Sequence, residues 1–219
     1  MLDTYKFIKN YKRIGMEKNV GKTTLLNKLI ADIGKNKKLG LTSIGRDGED
    51  IDVVTNTDKP RIYVRRGSII ATGRNCLAKC DITKEILYVT DFTTPMGSIV
   101  IVRALSDGYV DIAGPSYNKQ VKIVVELMEK FGSEISIVDG ALGRKSTAIS
   151  DVSEATILST GAALSLDMLK VVEETKKTVY FLKLNEAEKN IKERVEELRD
   201  KKAVLFYKNG EVAILEVDW

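Results

Sequence analysis

Apolar positions along the chain alternate between a helical and a strand-like period. Leu25, Leu26, Leu29, Ile30 and Ile33 recur at helical spacing and stop at Gly34, which predicts an amphipathic helix. Residues 11–14 predict a short strand before it, and residues 39–44 a second strand after it. Residues 61–64 and 68–72 read as a hairpin turned at Arg65-Arg66-Gly67. Residues 81–89 read as a short helix capped by Asp81. Further on, the pattern predicts strands at 98–104 and 109–113, the latter stopped by Gly114-Pro115. Asp107-Gly108 and Gly114-Pro115-Ser116 read as turns. A core-facing helix follows at 119–131, closed by Gly132, then a buried strand at 134–138 that runs into Asp139. A strand at 156–159, a helix at 165–179 and a strand near 180–184 complete this part.

The end of the chain is more charged. Residues 186–200 predict an amphipathic helix, and residues 203–207 and 211–217 flank Asn209-Gly210, a favoured hairpin turn. Strands and helices alternate without a long linker or repeat. The predicted class is therefore α/β, a doubly wound, mostly parallel sheet with a C-terminal β-hairpin. Residues 1–184 read as one domain, and residues 185–219 as a helix and hairpin docked on it.

Composition excludes several functions. Hydrophobic residues make up 43 % and charged residues 30 % of 219 positions, as in ordinary globular chains. The net charge of +4 is spread through the sequence, and the basic pairs Lys37-Lys38, Arg65-Arg66 and Lys201-Lys202 read as solvated surface, so no nucleic-acid partner is expected. No apolar run approaches the roughly 18 residues of a membrane helix, and no leader opens the chain; a cytoplasmic location without membrane contact is expected. Cys76 and Cys80 make neither a disulfide framework nor a zinc site, and read as buried free thiols on one helix face. Histidine is absent, which removes imidazole acid–base chemistry and His-ligated metals. Any chemistry must use lysine, carboxylates, hydroxyls, backbone amides and a bound metal ion.

Gly21-Lys22-Thr23 opens the first helix and matches the second half of the phosphate-loop pattern G-x-x-x-x-G-K-[ST]. In such a loop the backbone amides and the helix N-terminus surround phosphate oxygens with partial positive charge. On this reading Glu17, Lys18, Asn19, Val20, Gly21, Lys22, Thr23 and Thr24 form the cradle for ATP. Lys22 places a point charge on the β and γ phosphates, and the Thr23 hydroxyl binds Mg²⁺. A second hallmark is Ile135-Ser136-Ile137-Val138-Asp139, a hydrophobic strand ending in a carboxylate that holds Mg²⁺ or its water. Together they predict a fold of the P-loop NTPase type. Two features depart from the pattern. Its first glycine falls at Met16, with Gly15 one residue early, and the strand Tyr11-Lys12-Arg13-Ile14 is short and basic where a central parallel strand is normally apolar. Both predict reduced affinity or activity.

Arg46-Asp47-Gly48-Glu49-Asp50 follows the second strand, where loops of doubly wound sheets line the ligand crevice. Asp47, Glu49 and Asp50 are candidates to hold Mg²⁺, position a water or act as general base, with Asp47 the catalytic and Asp50 the metal candidate. Thr42 and Ser43 could also reach the site. After Asp139, Gly140-Ala141-Leu142-Gly143-Arg144-Lys145-Ser146 permits close backbone approach, and Arg144 or Lys145 is the candidate to neutralise transition-state charge on phosphate, Arg144 being the catalytic choice; the alternative is contact with a partner or a second substrate.

Four stretches, residues 15–24, 40–50, 102–108 and 138–141, together resemble the P-loop subunit of the lysine 5,6-aminomutase reactivase, over about residues 11–179. The resemblance implies an ATP-binding, ATP-hydrolysing subunit that acts with a separate ATPase subunit. Such a factor exchanges damaged cobalamin from an adenosylcobalamin-dependent aminomutase. On it, Lys22 and Thr23 bind phosphate and Mg²⁺, and Asp139 is the Walker B carboxylate. Two other classes fit the same residues: a small-molecule ATP-dependent ligase or kinase of the dethiobiotin-synthetase kind, and a regulatory module that binds nucleotide without turnover.

Overall fold

Continuous apolar strands need both of their faces covered, and the structure meets that need with one helix on each face of a central sheet. The computed structural model describes residues 10–16, 20–45, 51–52, 57–58, 61–140, 153–184, 188–198, 200–201, 203–207 and 209–215. The chain divides into two units, Met1–Lys176 and Lys177–Trp219.

In the first unit β1 (Asn10–Gly15) leads to α1 (Lys22–Ile33) and then β2 (Leu39–Ser43). The small strands β3 (Ile51–Asp52) and β4 (Thr57–Asp58) pair with each other. Next come β5 (Ile62–Val64), β6 (Ile69–Gly73), the single turn α2 (Arg74–Leu77), β7 (Lys84–Thr94), β8 (Gly97–Ala104) and β9 (Gly108–Val110). The series ends with α3 (Asn118–Lys130), β10 (Ile135–Asp139), β11 (Ala155–Ser159) and α4 (Met168–Leu182), whose residues from Lys177 on belong to the second unit. The main sheet has seven strands in the order β11-β1-β10-β2-β6-β8-β7. The first five run parallel, and β8 and β7 are antiparallel additions. The predicted α/β class with a mostly parallel sheet is therefore observed.

Period-two alternation sorts the strand side chains onto two cores. Leu39, Leu41, Ile70, Val100, Val102, Ile135 and Ile137 meet Leu26, Leu29, Ile30 and Ile33 of α1. Ile69, Ala71, Ile99, Ile101 and Val138 meet Val121, Val124, Val125 and Met128 of α3 on the opposite face. Each α1 and α3 side chain in these lists was placed in the core by its helical spacing. Ile101 of β8 is fully buried, between β6 and β7. We expect Ile101→Ala to cost about 2–5 kcal/mol through lost transfer energy and the cavity left behind. Urea denaturation checks this, with a loss under about 1 kcal/mol as the contrary result.

Three predicted elements are corrected. Arg65-Arg66-Gly67 does form a turn, with Ser68 N–H donating to Arg65 O at 3.1 Å and Gly67 at φ 90°. The flanking strands nevertheless do not pair as a hairpin. β5 pairs antiparallel with β9, whereas β6 joins the main sheet between β2 and β8. The reason is burial: all five residues of β6 are buried, while β5 alternates and covers the α1-side core as part of a separate two-stranded sheet. Residues 84–89 are strand rather than helix, because β7 forms a hairpin with β8 about Gly97 at φ 86°. Asp81 caps no helix; its carboxylate accepts from Arg61 Nη1 at 2.7 Å. The strand predicted near residues 180–184 is instead the last turns of α4, with Lys183 N–H on Val179 O at 3.1 Å.

In the second unit, α5 (Lys189–Glu197) precedes the antiparallel hairpin of β12 (Ala203–Phe206) and β13 (Val212–Leu215). Gly210 takes φ 89° in the turn. Arg194 joins helix to hairpin, donating to Gly210 O at 2.7 Å with its guanidinium 5.7 Å from the Phe206 ring centroid. Among the described residues, no helix is long and apolar enough to cross a membrane.

Candidate functional site

In a parallel sheet all carboxyl ends lie along one edge, and here β11, β1, β10, β2 and β6 all end on it. Gly21 supplies the turn into α1 with φ 82°, a left-handed conformation natural to glycine. Leu25 N–H is the first to bond into the helix, on Gly21 O at 3.0 Å. Amides of the preceding turn have no acceptor four residues back and point out of the N-terminus. Val20 is buried, Lys22 and Thr23 are half-buried, and Gly21 and Thr24 are exposed. This first turn therefore presents a hydroxyl, an ammonium and backbone donors at the positive end of the helix dipole.

Asp139 ends β10, the strand directly beside β1, in register with Arg13 on one side and Ser43 on the other. It is half-buried, and its carbonyl accepts from Ile44 N–H at 2.7 Å. The structure thus puts the carboxylate-ended strand next to the strand that leads towards Gly21-Lys22-Thr23. Of the other candidates, Glu17, Lys18, Asn19, Asp47, Asp50 and Arg144 lie outside the described residues, as do Glu49 and Lys145. Among the described residues, no group of three or more Cys, Asp or Glu side chains gathers to hold a metal.

Thr42 and Ser43 do not line the crevice. Both are buried, Thr42 donating to Ala71 O at 3.0 Å and the Ser43 hydroxyl accepting from Gly114 N–H at 2.9 Å. Ser43 anchors a strap, residues 111–115, that crosses the carboxyl ends of β2 and β6, while Thr42 ties β2 to β6. Gly73 N–H donates to Ala113 O at 2.8 Å, Ala113 N–H to Thr72 Oγ1 at 2.9 Å, and Gly45 N–H to Pro115 O at 2.9 Å. The strap holds Gly45, just past the end of β2. Gly-Pro in sequence marked a turn here, but nothing local marked its partners.

Met16, standing where the phosphate-loop pattern has glycine, is tied down by distant residues. Its N–H donates to Ser159 O at 3.0 Å, and its Sδ lies 3.4 Å from Thr175 Oγ1, whose proton goes to Val171 O at 2.6 Å. Thr175 also pairs with Thr160 at 2.9 Å. The entrance of the loop is thereby fixed to β11 and the first part of α4. Cys76 packs against Ala113 of the strap and Met96. Cys76 is buried and Cys80 half-buried just beyond α2, where burial pushes the Cys80 thiol up, away from reactive thiolate.

No protein-family model, curated protein or solved structure matches the chain.

Proposed function

We propose that the chain binds a nucleoside triphosphate, ATP with Mg²⁺, over the first turn of α1. The observation that carries this reading is the pairing of β1 with β10, which sets Asp139 beside the route into Gly21-Lys22-Thr23. Lys22 then meets the β and γ phosphates while the first-turn amides receive phosphate oxygens. Thr23 and Asp139 offer only oxygen donors, which suits Mg²⁺, an ion that keeps several waters and needs few protein ligands. When bound, Mg²⁺ neutralises charge developing on the phosphates. Asp47, Asp50 and Arg144 complete the proposed machinery as base, metal neighbour and charge neutraliser.

In its fuller form, the chain is the nucleotide-binding subunit of a factor that works in the cytoplasm. With a partner ATPase subunit it opens an adenosylcobalamin-dependent aminomutase and lets damaged cobalamin leave. This part rests on the sequence resemblance. Slow ATP turnover, stimulated by inactivated aminomutase together with the partner subunit, is the expected result of a phosphate-release assay. Turnover that responds to neither protein, and appears only with a small carboxylate substrate, would instead support a ligase or kinase. The anchoring of Met16 favours a second reading, binding without turnover, because a side chain stands where close phosphate approach normally demands glycine.

Asp139→Asn separates binding from hydrolysis. It removes a negative charge but not the hydrogen-bonding shape of the side chain. We expect Mg²⁺-dependent hydrolysis to fall by about 10-fold or more, with ATP affinity changing much less. Equal losses in both quantities would remove the carboxylate from its assigned role.

A further inference from the structure

Two basic pairs far apart in sequence meet at the opposite end of the sheet. Lys38 immediately precedes β2, and Arg65-Arg66 form the turn before β6. β2 and β6 are parallel neighbours with Gly40 level with Ile69, so the segments preceding both strands emerge side by side. Together with residues 34–37 and Glu134 they line a groove of about 280 Å³. The groove lies beyond the amino ends of the strands, whereas the phosphate loop follows their carboxyl ends. Five residues of β2 separate the two edges by about 17 Å.

The charge of this groove is lopsided. Lys35, Lys37, Lys38, Arg65 and Arg66 line it with one carboxylate, Glu134, and a second carboxylate, Asp107, sits beside the arginine turn, so five cations meet two anions. Glu134 is already committed: it accepts from Lys37 Nζ at 2.7 Å and from Lys38 N–H at 2.9 Å. Those bonds, Lys37 first, hold its carboxyl below the usual range, so it stays charged and keeps Lys37. Among the described residues, Lys35, Lys38, Arg65 and Arg66 form no ion pair. The C-terminal dipole of α1 accounts for cations just past that helix, Lys35 and Lys37. It does not account for Arg65 and Arg66, which come from another element. Their turn is itself held, with Arg66 N–H on Asp107 Oδ1 at 2.7 Å, Gly67 N–H on Ala104 O at 2.8 Å and Asp107 accepting from Tyr63 as well. Two guanidinium forks on a fixed turn, facing two lysines across a small groove, match the oxygens of adjacent phosphates.

We propose that this groove binds a small anion carrying several phosphates, at a site separate from the phosphate loop. Its size fits a compact ligand rather than a long one.

The test uses the full chain carrying Lys22→Ala, so that the loop does not compete, and inorganic tripolyphosphate as the probe in titration calorimetry. Binding that persists in this background, weakens with added salt, and falls at least about 10-fold on adding Arg65→Gln and Arg66→Gln is the expected result. Lys35→Gln with Lys38→Gln attacks the opposite wall and should give a loss of the same order; it serves independently if the arginine variant does not fold. No binding in the Lys22→Ala background, or an affinity unchanged by both double substitutions, overturns the proposal. So does a single-stranded oligonucleotide that binds more than 10-fold tighter than tripolyphosphate through the same residues, since the groove would then serve a long polyanion. ATP-Mg binding at the loop is read separately in the chain with Lys22 intact and Arg65→Gln with Arg66→Gln in the groove, so failure of one site is distinguishable from failure of the other.

Discussion

Lys22→Ala should raise the dissociation constant for ATP-Mg by about 10-fold to 1000-fold, because a charge-assisted contact contributes about 1.5–3 kcal/mol or more and each 1.4 kcal/mol is tenfold. Helix stability gives no reason for a lysine at this position. A cation in the first turn opposes the helix dipole by about 0.3–1 kcal/mol, and alanine is the better helix former. Lys22 is nonetheless the first residue of α1, directly after the left-handed Gly21. A ligand carrying negative charge reverses that balance. Calorimetric titration of ATP-Mg into wild type and variant is the measurement, with circular dichroism to show that α1 persists. Lys22→Arg should recover part of the affinity, since the charge returns on a different shape. An unchanged dissociation constant in the alanine variant would reduce Gly21-Lys22-Thr23 to an ordinary helix start.

The features that were legible in sequence are those carried by short-range periodicity. α1 and α3 were readable because their apolar residues recur on one stripe, and β8 and β10 because strands buried on both faces become continuous apolar runs. β7 was misread because its alternation is interrupted. Register shifts between Ile86 and Tyr88 and between Val89 and Thr93 break the period of two. Thr178-Val179-Tyr180-Phe181-Leu182 has the β-branched and aromatic content of a strand, but it continues a helix already begun, and continuation costs less than nucleation. The hairpin at Arg65–Gly67 shows the limit of local rules. Its turn chemistry was correct, whereas the partners of its strands, β9 and β2, lie outside any local window.

The candidate site divides in the same way. Gly21-Lys22-Thr23 and Asp139 announce themselves by residue type and position, and only the order β1-β10-β2 sets the strand that ends in Asp139 beside the strand that precedes Gly21. Met16 looked like a defect in a motif; its contacts with Ser159 and Thr175 involve residues more than 140 positions away. The basic pairs Lys37-Lys38 and Arg65-Arg66 are largely exposed, as read, and only the pairing of β2 with β6 brings them to one place.

Gly114→Ala is expected to be the most damaging single-methyl change at the carboxyl edge. A Cβ there would stand 1.9 Å from Ser43 O and 2.7 Å from Thr42 Oγ1. The first contact is backbone, so no side chain can swing aside. Ser43 is itself in register with Asp139 of β10, and Ile44 N–H bonds Asp139 O. Relief therefore requires either lifting the strap, with loss of the Gly73 and Gly45 bonds, or moving β2 against β10. The first leaves buried polar groups without partners at about 1–3 kcal/mol, and overpacking costs a similar amount. A destabilisation of about 3 kcal/mol corresponds to a melting-temperature drop of about 6–12 °C for a chain of this size. Gly161→Ala is the control, because a Cβ there meets nothing within 4 Å; it should shift stability by less than about 0.5 kcal/mol. If the strap rather than β2 gives way, ATP-Mg affinity survives the loss of stability. If β2 moves, Asp139 moves with it and hydrolysis falls even well below the melting temperature. Calorimetric melting of both variants, followed by phosphate release at a temperature where Gly114→Ala is still folded, separates these outcomes. A Gly114→Ala protein melting within about 2 °C of wild type would show that the strap does not hold this edge.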